Sequence, residues 1–297
     1  VTLPPALLDD RSILRVAGPD ARTFLQALLS NDVARLAPGV PVYATLLTPQ
    51  GRFLFDMILI QDESSILLDT TAARAGDLLR KLLLHRLRAA VELEDASGRW
   101  AVVAAAEPAA LPRAERALVV PDPRLAALGV RALVPRAELP PPGSLADSVA
   151  YDRWRLALGV PVAPVDLVPE RSLLLESNVE ELHGIDFGKG CYVGQELTAR
   201  MKYRGLVKKR LLPVRVDGAL PPPGTILSRA GAEAGEMRSG RDRAGIALVR
   251  LDGGGDPLAP LEAPEARLHP WLPDWLRPAL GHWPRPPIRR AGPSSAG

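Results

Sequence analysis

Proline and glycine punctuate this chain so often that its long patterns are cut into short elements. It carries 31 Pro and 25 Gly in 297 residues. Proline cannot donate a main-chain hydrogen bond, and glycine supplies the turns that other residues resist. Pro140-Pro141-Pro142-Gly143 is the clearest linker, and Pro108, Pro112, Pro121, Pro123 and Pro135 interrupt every long pattern between 100 and 150. The length suits about two domains, each large enough for a core of its own.

The first hundred residues alternate between strand-like and helix-like stretches. A short apolar strand is predicted over 12–16. Gly18-Pro19-Asp20 then opens a helix, since Pro loses nothing in a first turn, and Phe24, Leu25, Leu28 and Leu29 give it one buried stripe. Strands follow over 42–47 and 52–60, joined by Thr48-Pro49-Gln50-Gly51, a turn by its chemistry. A strand over 65–70, a cationic amphipathic helix over 73–88 and a strand over 90–93 complete the set. That order resembles a ferredoxin-like α+β unit with an extra strand. Residues 149–158 read as a helix. From about Leu206, strand-like runs at 210–216, 225–228, 244–251 and 266–268 alternate with turns, which points to a small barrel or sandwich. The Pro- and Arg-rich end predicts a disordered tail over 276–297. The organisation is therefore an α+β region over 1–205, in two lobes about a linker near 140–143, followed by a β unit over 206–275.

Charge and cysteine usage narrow the function classes. There are 37 Lys+Arg against 34 Asp+Glu, and only Lys81, Lys189, Lys202, Lys208 and Lys209 are lysines. Arg in place of Lys, with abundant Pro and Ala, points to a GC-rich bacterial genome rather than to a nucleic-acid partner. No apolar run approaches the ~18 residues that a spanning helix needs, and no membrane partner is expected. Cys191 is the only cysteine, which excludes an internal disulfide and a paired-Cys zinc site; with four scattered His, no metal of the chain's own is expected. Asp9, Asp10 and Asp20 interrupt the N-terminal stretch and argue against a secretory or mitochondrial leader, so a reducing cytoplasm is the expected compartment.

The densest signal lies in residues 184–196, where Gly188, Gly190 and Gly194 make a constrained loop around Cys191. A helix over 195–203 ends at Gly205, a C-terminal cap. Cys191 then precedes a helix N-terminus, with Lys189 two residues away, and both the dipole and the cation favour a thiolate. Such a thiolate attacks electrophiles, ligates iron or exchanges with other thiols. A lone cysteine is otherwise accounted for as a small buried hydrophobe.

Lys189-Gly190-Cys191-Tyr192-Val193-Gly194-Gln195-Glu196 resembles the K-G-C-Y-x-G-Q-E signature of the YgfZ-type folate-binding proteins. These are paralogues of the glycine-cleavage aminomethyltransferase and relatives of a mitochondrial iron–sulfur assembly factor. The likeness continues through Ala199-Arg200 and Tyr203-Arg204-Gly205. Upstream it takes in Phe24-Leu25-Gln26, Asn31-Asp32-Val33 and Leu46-Leu47-Thr48-Pro49-Gln50-Gly51-Arg52-Phe53, and overall it spans about residues 10 to 275.

The resemblance implies an α+β, three-lobed aminomethyltransferase-like fold, with a ferredoxin-like N-terminal unit and a C-terminal β-barrel around a central opening. In the paralogous transferases that opening binds tetrahydrofolate. It implies catalytic roles for Cys191 and Lys189, a loop built by Gly190, Tyr192, Gly194, Gln195 and Glu196, and folate contacts from Asp56, Tyr151 and Arg155. The transferases resemble R-x-E-A-G where this chain reads Arg155-Leu156-Ala157-Leu158-Gly159, and Ala157 cannot accept a hydrogen bond from a pterin N–H. Phe55-Asp56 likewise keeps one acid of a pair. The balance favours a folate-binding accessory factor for assembly or repair of [4Fe–4S] proteins, indirectly supporting tRNA modification, over a tetrahydrofolate-dependent aminomethyltransferase or other one-carbon transferase. The implied cofactor is tetrahydrofolate or a derivative, and the implied partners are iron–sulfur target proteins or cluster-assembly proteins, the chain itself being a monomer. The basic cluster Lys202, Arg204, Lys208, Lys209 and Arg210 either docks an acidic partner or a folate polyglutamate tail, or forms a solvated strand face. Direct nucleic-acid binding is not expected.

Overall fold

The computed structural model describes residues 3–252 and 256–280. A two-residue strand, β1 (Ala6–Leu7), leads into β2 (Arg11–Ala17). Then come α1 (Ala21–Leu28), β3 (Val42–Leu47), β4 (Phe53–Asp62), β5 (Ser65–Thr71), α2 (Ala72–Arg86) and β6 (Glu92–Asp95). These strands pair antiparallel in the order β3-β4-β5-β2-β6. Without edge strand β3, the order is that of a ferredoxin-like unit, so the expected unit with one extra strand is the one observed.

This sheet is covered on both faces, which explains why β3 and most of β4 are buried at every position instead of alternating. The pleat still sorts the side chains into two sets. Leu14, Val16, Ala44, Met57 and Leu59 pack under α1 and α2. Ile13, Tyr43, Ile58, Ile60 and Leu67 face the second lobe. In that lobe β7 (Trp100–Ala105), β8 (Leu118–Pro121) and β9 (Val130–Pro135) join β1 in the order β1-β7-β9-β8. Past the exposed turn at Pro140–Gly143, the carboxylate of Asp147 accepts the Ala150 N–H and caps α3 (Ser148–Ala157).

Among the described residues no helix or strand lies between α3 and α4 (Gln195–Arg204). The chain then enters a closed barrel. Its strands are β10 (Lys209–Gly218), β11 (Ile226–Arg229), β12 (Ala232–Arg241), β13 (Ala244–Arg250), β14 (Leu261–Ala263) and β15 (Ala266–Pro270). β15 pairs back onto β10, so the barrel leaves no open edge. Two of these strands, β12 and β14, lie outside the runs predicted from the sequence. β12 reads Ala-Glu-Ala-Gly-Glu-Met-Arg-Ser-Gly-Arg, with no β-branched residue, and is held by its neighbours β11 and β13.

The disorder expected from residue 276 does not hold for 276–280. A 3₁₀ helix spans Asp274–Leu280, and Leu276 is fully buried against the barrel core of Leu212, Val214, Leu227, Val249 and Leu268. The rest of the predicted tail, 281–297, lies outside the described residues. Leu276→Ala is expected to destabilise the chain by about 2–5 kcal/mol, as a buried leucine does. Urea unfolding of the full chain checks this; a silent substitution would place Leu276 in the tail after all.

Candidate functional site

Residues 184–194 form a series of turns laid against the first lobe, and three of the upstream motifs converge on them. Ser30 Oγ donates to the Gly184 carbonyl at 2.6 Å, and Asn31 Nδ2 donates to the carbonyls of His183 and Tyr43, each at 2.7 Å. Asp186 accepts the Gly188 N–H at 2.7 Å and pairs with Arg35 at 2.6 Å. Gln26 braces the same region by bonding Asp32 and the Val33 N–H.

The Thr48–Gly51 turn supplies the other wall. Gly194 and Gly51 both have φ near +79°, and they touch each other. A Cβ on Gly194 would lie 2.3 Å from the Thr48 carbonyl oxygen, and one on Gly51 would lie 2.7 Å from that of Gly194. Glycine is needed at both positions for conformation and for space alike. Gly194 then starts α4, and Gly205 ends it in the left-handed region. Gln195 Oε1 accepts the Tyr192 N–H at 3.3 Å, and Glu196 pairs with Arg200 one turn on. Burial pushes the Tyr192 hydroxyl up to about 12. Cys191 itself is exposed.

Lys189 is placed differently from the expected cysteine-activating position. Its Nζ donates to the carbonyls of Gln26, at 2.7 Å, and Leu29, the open end of α1, and it lies 5.3 Å from the Tyr192 ring centroid. A cation at the C-terminus of a helix is favourable. Among the described residues none of its hydrogen bonds reaches Cys191, so Lys189 tethers the loop to α1. Burial lowers its ammonium to about 8, against the pull of Asp32 and Asp186.

The residues expected to line a folate opening sit in two separate networks. Tyr151 is buried, and its hydroxyl accepts from Arg124 at 2.6 Å and from Arg131 at 2.9 Å. Both guanidinia also bind Asp122, at 2.7 and 2.9 Å, and Arg131 reaches Asp69 at 2.7 Å, beside Arg11. Burial alone would raise the Asp122 carboxyl, but Arg124 and Arg131 hold it well below the usual carboxylate range. Asp56 accepts the Tyr43 hydroxyl at 3.3 Å, and Arg124 stacks over the Tyr43 ring. Arg155 lies apart. It binds Asp166 at 2.7 Å, Asp152 at 2.8 Å and Ser239 of β12 at 3.1 Å, and so fastens α3 to the barrel.

A folate site needs an open cavity with unpaired donors and acceptors. Asp56 borders a recess of about 10 Å³, room for at most about one water. The Tyr151 hydroxyl and the Arg155 guanidinium are already engaged. A cleft of about 430 Å³ beside Arg155, between α3 and the barrel, is lined by neither Asp56 nor Tyr151. In this conformation a folate that used the Tyr151 hydroxyl or the Arg155 guanidinium would have to displace a protein partner. The basic cluster is divided too: Arg210 is buried on Glu181 and Asn178, Lys202 pairs with Glu180, and Arg204 and Lys208 are exposed.

Comparison with known proteins agrees with this architecture. Residues 10–118 match the GCVT N-terminal domain family, and residues 208–278 match the CAF17 C-terminal beta-barrel domain family. The crystal structure of glycine cleavage system aminomethyltransferase T from Bartonella henselae superposes with a TM-score of 0.73 at 16% identity, over 92% of this chain and 87% of that one. The fold is thus that of the aminomethyltransferases. At the sequence level, the mitochondrial iron–sulfur cluster assembly factor IBA57 of Homo sapiens is 38% identical, over 90% of this chain and 84% of its own. IBA57 of Mus musculus is 35% identical over 82% and 77%, and the homolog of Neurospora crassa 34% over 72% and 54%. The chain belongs to the IBA57 family.

These relatives correct the expected compartment. Their names are mitochondrial, so the acids near the start of the sequence do not argue for the cytoplasm. Nor does its Arg-rich composition make the chain bacterial: the relatives named here are eukaryotic.

Lys189 gives this site a measurable pH signature. Its ammonium releases its proton near pH 8 when folded and near the ordinary value of about 10.4 when unfolded. Between those values the unfolded chain binds more protons, so this group's contribution to stability rises with pH. The difference in unfolding free energy between wild type and Lys189→Met is expected to grow in favour of wild type from pH 8 to 10. A difference independent of pH would place Lys189 in solvent. Gly194→Ala is expected to destabilise by about 2 kcal/mol or more, since an alanine in the left-handed region alone costs about 1–2, and thermal unfolding measures it.

Proposed function

We propose that this chain is an accessory factor in the assembly or repair of [4Fe–4S] proteins, and that Cys191 is its point of contact with the cluster in transit. The observation that carries this reading is an exposed thiol on a loop whose flanks are anchored on both sides. A ligand held in one geometry does not have to be ordered again when its target arrives. The family supports the cluster-assembly role, since its relatives are named for it.

Iron–sulfur clusters are held by several cysteine thiolates, and this chain has one cysteine. Cys191 Sγ therefore supplies a single ligand, losing its proton to solvent as it binds iron, and the other ligands come from a partner protein that carries or receives the cluster. The loop orients the thiol: Lys189 holds it to α1, and Gly194 seats it against the Thr48–Gly51 turn. No step is routed through folate, because Asp56, Tyr151 and Arg155 are engaged elsewhere. Loss of tRNA modification would follow indirectly, through enzymes that depend on [4Fe–4S] clusters.

The test is the activity of a [4Fe–4S] enzyme in cells lacking this gene, supplied with wild type or with Cys191→Ser at equal, folded levels. Wild type is expected to restore activity and Cys191→Ser to leave it at the level of the deletion. Equal rescue would retire the thiol. An enzyme unaffected by the deletion would overturn the cluster role.

A further inference from the structure

α2 covers the first sheet with one face, and its C-terminal tip carries a patch that packing does not explain. Ala75, Leu78 and Leu82 are buried beneath the helix. Beyond them Leu84 is 73% and Leu87 88% exposed, with Leu83 beside them at 42%. Leu83 and Leu84 lie on the last turn of α2, and Leu87 follows directly on its end, so all three exposed leucines belong to one helix tip. Arg80, Lys81, Arg86 and Arg88 flank them along the chain. Arg80 is paired with Asp77, whereas Lys81, Arg86 and Arg88 make no ion pair among the described residues.

The backbone gives a second, independent sign. Leu87 follows the end of α2 with φ +46°, in the region where glycine is favoured and a branched side chain is strained. Strain without internal packing marks a residue kept for something outside the fold. Next to it lies a groove of about 370 Å³, lined by Gly18, Pro19, Arg86, Leu87, Arg88 and Glu92 among others. Two guanidinia against one carboxylate leave that groove net positive.

We propose that this tip docks on the surface of an anionic phospholipid bilayer. Leu84 and Leu87 enter the boundary of the acyl chains, while Arg86, Arg88 and Lys81 meet headgroup phosphates. Apolar side chains flanked by cations are the pattern of interfacial membrane contacts, and each cation near an anionic surface adds to the attraction. A stable protein interface buries about 800 Å² on each side, far more than one helix tip presents. The attachment is peripheral, as no helix among the described residues is long and apolar enough to cross a membrane. It revises the expectation of no membrane partner, which rested on the lack of a spanning segment, and it is independent of the role proposed for Cys191.

The experiment is co-sedimentation of the full chain with vesicles of phosphatidylcholine alone and of phosphatidylcholine mixed with phosphatidylglycerol. Wild type is expected to pellet with the mixed vesicles, less so as salt is raised, and to stay in solution with the neutral ones. Arg86→Gln combined with Arg88→Gln is expected to weaken binding about 25-fold, at roughly fivefold per cation. Leu84→Ser combined with Leu87→Gly is expected to weaken it about tenfold or more; glycine suits the positive φ, so an unchanged melting temperature separates lost binding from lost folding. Equal behaviour on both vesicle types, or binding that neither double variant weakens, overturns the proposal. A concentration-dependent dimer abolished by the leucine variant, without vesicle binding, would assign the tip to a second copy of the chain and overturn it equally.

Discussion

Arg131 places a cation, 2% exposed, where the first and second lobes meet. A charge so far from water is tolerable only when its partners are close and its donors are filled. Here Asp69 of β5 lies 2.7 Å away, Asp122 2.9 Å, and the Tyr151 hydroxyl accepts at 2.9 Å. Arg11 and Arg124 complete the cluster from opposite sides. Each lobe keeps a pair of its own, Arg11 with Asp69 and Arg124 with Asp122, and Arg131 ties the two together through Asp69, so the register between the two sheets is set by ion pairing as well as by apolar contact.

Much of the fold was legible because it is local. β3 spans the six residues predicted for it, and the β3–β4 turn was readable from Pro49 and Gly51. The loop around Cys191 announced itself through its glycines. What spacing does not encode is the far partner. Lys189 stands two residues from Cys191 in sequence, yet its ammonium reaches Gln26, 163 residues away. Tyr151 and Arg155, expected to meet a ligand, are engaged by Arg124, Arg131 and Asp166. A signal did exist for part of this: Arg131 interrupts a strand that is otherwise apolar, and Asp69 follows an apolar Ile-Leu-Leu run in its own strand, and a charge in such a strand demands a buried counter-charge. That signal says a partner exists without saying which. β12 shows the same limit for strands, since its pairing is imposed by neighbours rather than by its own residues.

The two halves of the functional reading have different physical bases. The fold and the family come from whole-chain similarity, whereas the role of Cys191 rests on one loop and how it is held. The chain has one cysteine, and among the described residues no group of His, Cys, Asp and Glu could hold a metal, so the contact proposed for Cys191 is one shared with a partner. This fits a protein that works in passing contact with others, and the divided basic cluster fits it too: Lys202 and Arg210 are used internally, which leaves Arg204 and Lys208 exposed beside α4.

The contact between Gly51 and Gly194 has a consequence for how the protein comes into being. One glycine belongs to a hairpin turn made early in synthesis, the other to a loop made after both α+β lobes have emerged. The hairpin can form on its own, but the loop has no shape until the finished first lobe is there to receive it. The surface that orders the loop is thus made before Cys191 itself, and the thiol acquires its fixed presentation by docking on it. Maturation of the chain and readiness of its cysteine become a single event, so a half-made molecule has no ordered thiol to offer.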